Sequence, residues 1–169
     1  MGRMVFRGRW FSIEAFNPRL PDGKRIYFER LVRRNGVMVV PFDGSKRLFM
    51  IRQFQSGIEK WMYQFPAGGI DDGESAISAA RRELKEETGL SATSMKRVGR
   101  FYPDPGVIAS TADIFVAKGL KMGRATPDER EVIELVRVEI KKFEEMVRAG
   151  KIVDGRSIAA FHLAMSAIK

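Results

Sequence analysis

GGIDDGESAISAARRELKEETGL, residues 68 to 90, decides how the rest of this 169-residue chain is read. From Ser75 onward Ala76, Ala80, Leu84 and Thr88 recur at spacings of four, with Ile77 and Ala79 beside them. That period predicts a core-facing helix. Asp71-Asp72-Gly73 predicts a turn ahead of it, Ser75 is placed to cap its first turn, and Gly89 stands where a left-handed residue ends a helix. Glu83, Glu86 and Glu87 fall within five residues of this helix. Their spacing puts them on one face, and the expectation is that all three project toward one patch of solvent. So much like charge repels itself unless a cation neutralises it. With no Cys and one His in the chain, the ligands on offer are hard oxygens, suited to magnesium or manganese rather than zinc. The plainer alternative is a solvated acidic helix face. Against it stand the Gly-rich approach Ala67-Gly68-Gly69, the isolated Glu74 and the adjoining Arg82.

Taken as a unit, the stretch reads Gly68, five residues, Glu74, seven residues, then Arg82-Glu83-Leu84-Lys85-Glu86-Glu87-Thr88-Gly89-Leu90. It resembles the Nudix box, with every specified position filled. The resemblance implies hydrolysis of a nucleoside diphosphate linked to another group X. It also implies that Glu83, Glu86 and Glu87 hold divalent cations, magnesium first and manganese as a substitute, while Arg82 orients one glutamate through a salt bridge. The backbone carbonyl of Ala67 is a further implied ligand. A mobile catalytic glutamate is implied in the loop Pro127-Asp128-Glu129-Arg130-Glu131, either Glu129 or Glu131. No Ser, Cys or His nucleophile is called for, because metal ions screen the pyrophosphate and acidify the attacking water. His162 falls in a C-terminal helical pattern, where a packing role is expected.

Fifteen residues after Leu90 stands Pro105, within Phe101-Tyr102-Pro103-Asp104-Pro105-Gly106. That distance resembles the ADP-ribose pyrophosphatase subfamily, which splits ADP-ribose into AMP and ribose 5-phosphate. Arg9-Trp10, Leu20-Pro21-Asp22-Gly23, Ile51-Arg52-Gln53-Phe54 and Gln64-Phe65-Pro66-Ala67-Gly68 look like its other characteristic stretches. By this resemblance Trp10 helps sandwich the adenine, Arg9 or Arg52 binds phosphate or ribose oxygens, and Pro105 and Gly106 contact substrate. Residues 1 to 35 are expected to exchange strands with a second copy in a homodimer. One departure stands out: after Gly106 the chain continues Val107-Ile108-Ala109-Ser110-Thr111, without the acidic residues typical of that subfamily. Another Nudix substrate therefore stays open: a nucleotide sugar such as GDP-mannose, an oxidised nucleotide or a dinucleoside polyphosphate. A non-catalytic nucleotide- or RNA-binding module is disfavoured, since such modules usually lose box glutamates and all are present here.

With 44% apolar residues the chain suits one globular domain over residues 1 to 169. No membrane span or leader pattern is read, and zero cysteines suggest a cytoplasmic setting. The formal charge of +9 attracts anions. Because the basic residues are scattered, a small anionic nucleotide is expected as partner rather than nucleic acid or membrane. Strands are predicted at Val5 to Phe16, Lys24 to Arg34, Gly36 to Phe42, Arg47 to Phe54, Arg97 to Tyr102, Ala112 to Ala117 and Val132 to Val138. A helix around Phe143, Met146 and Val147 ends at Gly150, and a last one carries Ile158, Phe161, Met165 and Ile168. The whole predicts an α+β fold, an α/β/α sandwich with a central mixed sheet, a box helix and C-terminal helices, which is also the Nudix fold.

Overall fold

A computed structural model of the protein describes residues 2 to 9 and 11 to 168, so the adenine-stacking role expected of Trp10 lies outside the described residues. In chain order the elements are β1 (Arg3–Arg7), β2 (Ser12–Phe16), β3 (Phe28–Val32), β4 (Gly36–Pro41), β5 (Arg47–Gln55), β6 (Lys60–Gln64), β7 (Ala67–Gly69), α1 (Ala76–Thr88), β8 (Leu90–Phe101), β9 (Ala112–Met122), β10 (Ile133–Glu139), α2 (Ile140–Arg148) and α3 (Gly155–Ile168).

Strand β4 is the axis of the fold. Its run GVMVVP is apolar throughout, as a strand covered on both faces must be. Val37 and Val39 pack with Ala79, Ala80 and Leu84 of α1, whereas Met38 and Val40 join Leu48, Met50, Phe143 and Phe161 on the other side. The sheet is mixed: β4 runs parallel to β9 and antiparallel to β7, giving the order β7-β4-β9-β8. Two further antiparallel sheets, β10-β5-β6 and β1-β2-β3, complete the chain. The predicted sandwich is thus present, with its strands shared among three sheets. None of the described helices is long and apolar enough to cross a membrane.

The helix bounds match expectation. Ser75 Oγ accepts from Ser78 N–H at the start of α1, and Gly89, at φ 73°, closes its end with its N–H on Lys85 O. Gly150 likewise takes a left-handed φ of 66° after α2.

Several strands differ. Residues Val5 to Phe16 are not one strand but most of a hairpin, turned where Gly8 N–H donates to Phe11 O. Lys24 to Arg34 shortens to β3, while β6 and β7 were not anticipated. Strand β8 begins at Leu90, well before Arg97, because an edge strand bearing Ser91, Thr93, Ser94 and Lys96 reads as a loop by composition. His162 is exposed, not packed; its ring meets Phe161 edge-on.

A buried tie sets the approach to the box. Ser157 Oγ, 0% exposed with its residue, accepts from Phe65 N–H at 3.0 Å and donates to Asp154 Oδ2 at 2.7 Å. Removing it strands the Phe65 amide without a partner. Ser157→Ala is expected to cost about 1–3 kcal/mol, read as a lowered midpoint in urea at unchanged slope.

Candidate active site

Helix α1 turns its acidic face onto β7. Glu87 lies only 4% exposed, and its Oε2 accepts from Ala67 N–H at 2.9 Å. Glu83 is also largely covered, with its side chain 13% exposed, and only Glu86 keeps substantial contact with solvent at 41%. The expectation of a solvent-facing trio is therefore corrected: the helix face is roofed by the Ala67–Gly69 strand. Gly68 allows the close approach, since a Cβ there would overlap the Glu83 carboxylate.

Arg82 holds this arrangement. Its Nε and Nη2 grip the two oxygens of Glu74 at 3.0 and 2.9 Å, Nη1 donates to Glu83 at 2.7 Å and to Glu86 at 3.2 Å, and Nη2 also reaches Gly69 O at 2.9 Å. The sequence marks Glu74 only as a matched position; here it is the fork's main acceptor. Hydrogen bonds from Arg82 pull the Glu74 carboxyl below its usual range, and Glu74 in turn pushes the guanidinium further up. Burial raises Glu83 despite the arginine beside it, and raises Glu87 well above an ordinary carboxylate, with the nearby Glu83 and Glu131 adding to the push.

Glu87 is thus a buried carboxylate whose one hydrogen-bond donor among the described residues is a backbone amide. Such a group is costly to keep ionised unless a cation joins it. The donors within reach, carboxylates plus the Ala67 carbonyl, are hard oxygens and fit magnesium or manganese. Among the described residues no three acidic or histidine side chains yet converge on one point, and Arg82 occupies oxygens of Glu83 and Glu86. Lysine at position 82 cannot reproduce the fork. Arg82→Lys is expected to raise the metal concentration for half-maximal activity by about 10–100-fold, measured by magnesium titration.

The carboxylates open into a cleft of about 360 Å³. The loop after β9 closes one side, tied down by Thr126 N–H on Glu86 O at 2.9 Å. From this loop Thr126, Asp128 and Glu131 line the cleft, and Glu129 does not. Asp128 is held low, to about 2, by its hydrogen bonds from Arg130. The charge of Arg9 also reaches Asp128, although Arg9 itself does not line the cleft. Arg34, which no sequence pattern singles out, lines the cleft and pairs with Asp71.

Other expected residues lie apart. Arg52 sits on β5 with Nη1 on Glu134 at 2.9 Å and its guanidinium 4.4 Å above the Trp61 ring; it does not line the cleft. Pro105 and Gly106 form an exposed turn whose following residues dock on β3, with Leu31 N–H donating to Val107 O at 2.8 Å. That loop fastens the N-terminal sheet to the body of the protein.

Known proteins share this architecture. The sequence model of the NUDIX domain matches residues 32–161. The chain is 30% identical over 167 residues to ADP compounds hydrolase NudE of Escherichia coli (strain K12), covering 98% of this chain and 89% of that protein. It is 27% identical over 158 residues to ADP-ribose pyrophosphatase of Bacillus subtilis (strain 168), covering 92% and 85%. A solved structure described as the crystal structure of ADP compounds hydrolase superposes with a TM-score of 0.86 at 29% identity, covering 99% of this chain and 91% of that one.

Proposed function

Because the chain belongs to the Nudix family, we propose that it is a pyrophosphohydrolase of nucleoside diphosphates linked to another group, and that its substrate is ADP-ribose, cleaved to AMP and ribose 5-phosphate. The observation that carries this reading is the intact box, with Glu87 on the Ala67 N–H, Glu83 beside Gly68 and Arg82 bound to Glu74, Glu83 and Glu86. The activities named for the two relatives, ADP-ribose pyrophosphatase and ADP compounds hydrolase, favour an adenosine diphosphate compound within that class.

The residues divide the work. A bound divalent cation, magnesium with manganese able to replace it, supplies neutralisation of the pyrophosphate charge and acidifies the attacking water. Glu83, Glu86, Glu87 and the Ala67 carbonyl would hold it. Arg82 keeps Glu83 and Glu86 oriented, and Arg34 and Arg9 attract the phosphates into the cleft. Glu131, lining the cleft near Glu83 and Glu87, receives the proton as the water oxygen bonds to phosphorus and the bridging P–O bond breaks. Preorganised charge then accounts for most of the rate.

The N-terminal sheet leaves Met4, Val5, Phe6 and Phe11 exposed, a face that suits burial by a second copy. A cytoplasmic homodimer built from one domain per chain is the form we propose. The test is a substrate panel in magnesium, with ADP-ribose, GDP-mannose, an oxidised nucleotide and a dinucleoside polyphosphate. Release of AMP and ribose 5-phosphate at the highest kcat/KM is the expected result, and no turnover of ADP-ribose overturns it.

A further inference from the structure

A second, smaller cavity of about 80 Å³ shares Ala67 and Gly68 with the acidic cleft. Its character is opposite. Arg33 and Arg156 both line it, and none of the described residues lining it is acidic. Arg156 is set in place by Asp154, which accepts from Nε at 2.8 Å, and by Gln64, which accepts from Nη2 at 3.2 Å. Arg33 has no such anchor. Among the described residues nothing accepts a hydrogen bond from its guanidinium, and burial together with the Arg156 charge lowers its pKa. Ser110, 5% exposed, lines the same cavity, and its hydroxyl has no partner among the described residues.

Arg33, whose guanidinium no described residue accepts from, faces this small space with the open Ser110 hydroxyl and with Arg156, whose charge Asp154 already meets, and an anion there would answer the Arg33 charge. The volume admits roughly two or three water-sized groups, which suits a tetrahedral oxyanion and not a base or a sugar ring. Sharing of the Ala67-Gly68 wall sets the cavity next to the place where the box would hold the pyrophosphate.

We propose that this cavity is an oxyanion subsite, with Arg33, Arg156 and Ser110 as its donors, that takes a phosphate group carried on the X side of the substrate. It rests on the pyrophosphohydrolase reading. Substrates whose X group bears its own phosphate are then preferred over those ending in a neutral sugar. Arg33 is the specificity-determining member, since Arg156 is already engaged with the protein.

The experiment compares ADP-ribose with ADP-ribose phosphorylated on its terminal ribose, in wild type, Arg33→Ala and Arg33→Lys, with melting temperatures taken to verify folding. Wild type is expected to show a KM about tenfold lower for the phosphorylated compound, the scale of one charge-assisted hydrogen bond. Arg33→Ala is expected to raise that KM at least about fivefold more than the KM for ADP-ribose, and Arg33→Lys to recover most of the difference. Equal KM values for the two compounds in wild type, or a rise by one common factor in Arg33→Ala, overturns the subsite. Inorganic phosphate titrated into metal-free protein is the second arm. Saturable binding that Arg33→Ala weakens supports the oxyanion site and, if neither compound is turned over, assigns it to a free phosphate while the hydrolase reading falls. Absence of saturable binding in both proteins overturns the site whatever the turnover.

Discussion

Glu87→Gln is expected to lower kcat by about 10²–10³-fold and yet to make the metal-free protein more resistant to heat. Glu87 is a buried carboxylate with one backbone donor, and burial raises its pKa well above the ordinary value. In the unfolded chain the same group titrates near about 4.3. Between that value and the raised one, the unfolded chain has released the proton while the folded chain retains it, so wild-type stability falls as pH rises through this window. Above the raised pKa the full cost of a buried, unpaired charge is present. Glutamine keeps an acceptor for Ala67 N–H and removes the charge. Melting in EDTA should therefore favour the variant by a few degrees at pH 8, roughly the scale of 1 kcal/mol in a domain of this size, with a smaller gap at pH 5. Excess magnesium should reverse the order, because only the wild type gains the full linkage energy of the bound cation. A variant that melts below wild type in EDTA at pH 8 would show that a protein cation already compensates Glu87.

Gly68→Ala is expected to leave the protein folded and almost inactive. A methyl group at this position would overlap the carboxylate of Glu83. The obstructing atoms are the far end of a flexible side chain, not backbone, so the fold can yield by swinging Glu83 away. Stability should change by less than about 1 kcal/mol, within the range of mild substitutions. Activity cannot yield so cheaply, because the carboxylate would leave the face it shares with Glu87 and Ala67. A displacement on the order of 1 Å costs about 10²-fold in rate. The expected readings are a melting temperature near wild type and kcat reduced by about 10², with higher magnesium restoring little of it. Full activity in this variant would mean that Glu83 works from some other position.

These two substitutions separate what is local from what is not. The helix from Ala76 to Thr88 was legible because its stripe, its cap at Ser75 and its stop at Gly89 are all adjacent in sequence. Strand β4 was legible for a similar reason, an unbroken apolar run. Strand β8 was not, since its pairing with β9 lets polar residues form an edge that composition reads as loop. The hairpin β1–β2 was missed because register, not residue type, defines its turn. The surroundings of Arg52 were likewise not legible, since the sheet pairs it with Glu134, 82 residues away, and lays it on Trp61.

The sequence by itself determined the family: three glutamates at helical spacing, an arginine among them and glycines ahead of them make up the Nudix box, a pattern carried on one helix and so local in sequence. Only the tertiary structure decided how those groups feel one another. It roofed Glu83 and Glu87 with Ala67–Gly69 and made Glu74 the anchor of Arg82. It brought Asp128 and Glu131 to the cleft, and it set Arg33 and Arg156 around one cavity beside it. Burial and long-range pairing depend on which distant strands and loops meet, and the energy of a charge depends more on that surrounding than on the residue that carries it.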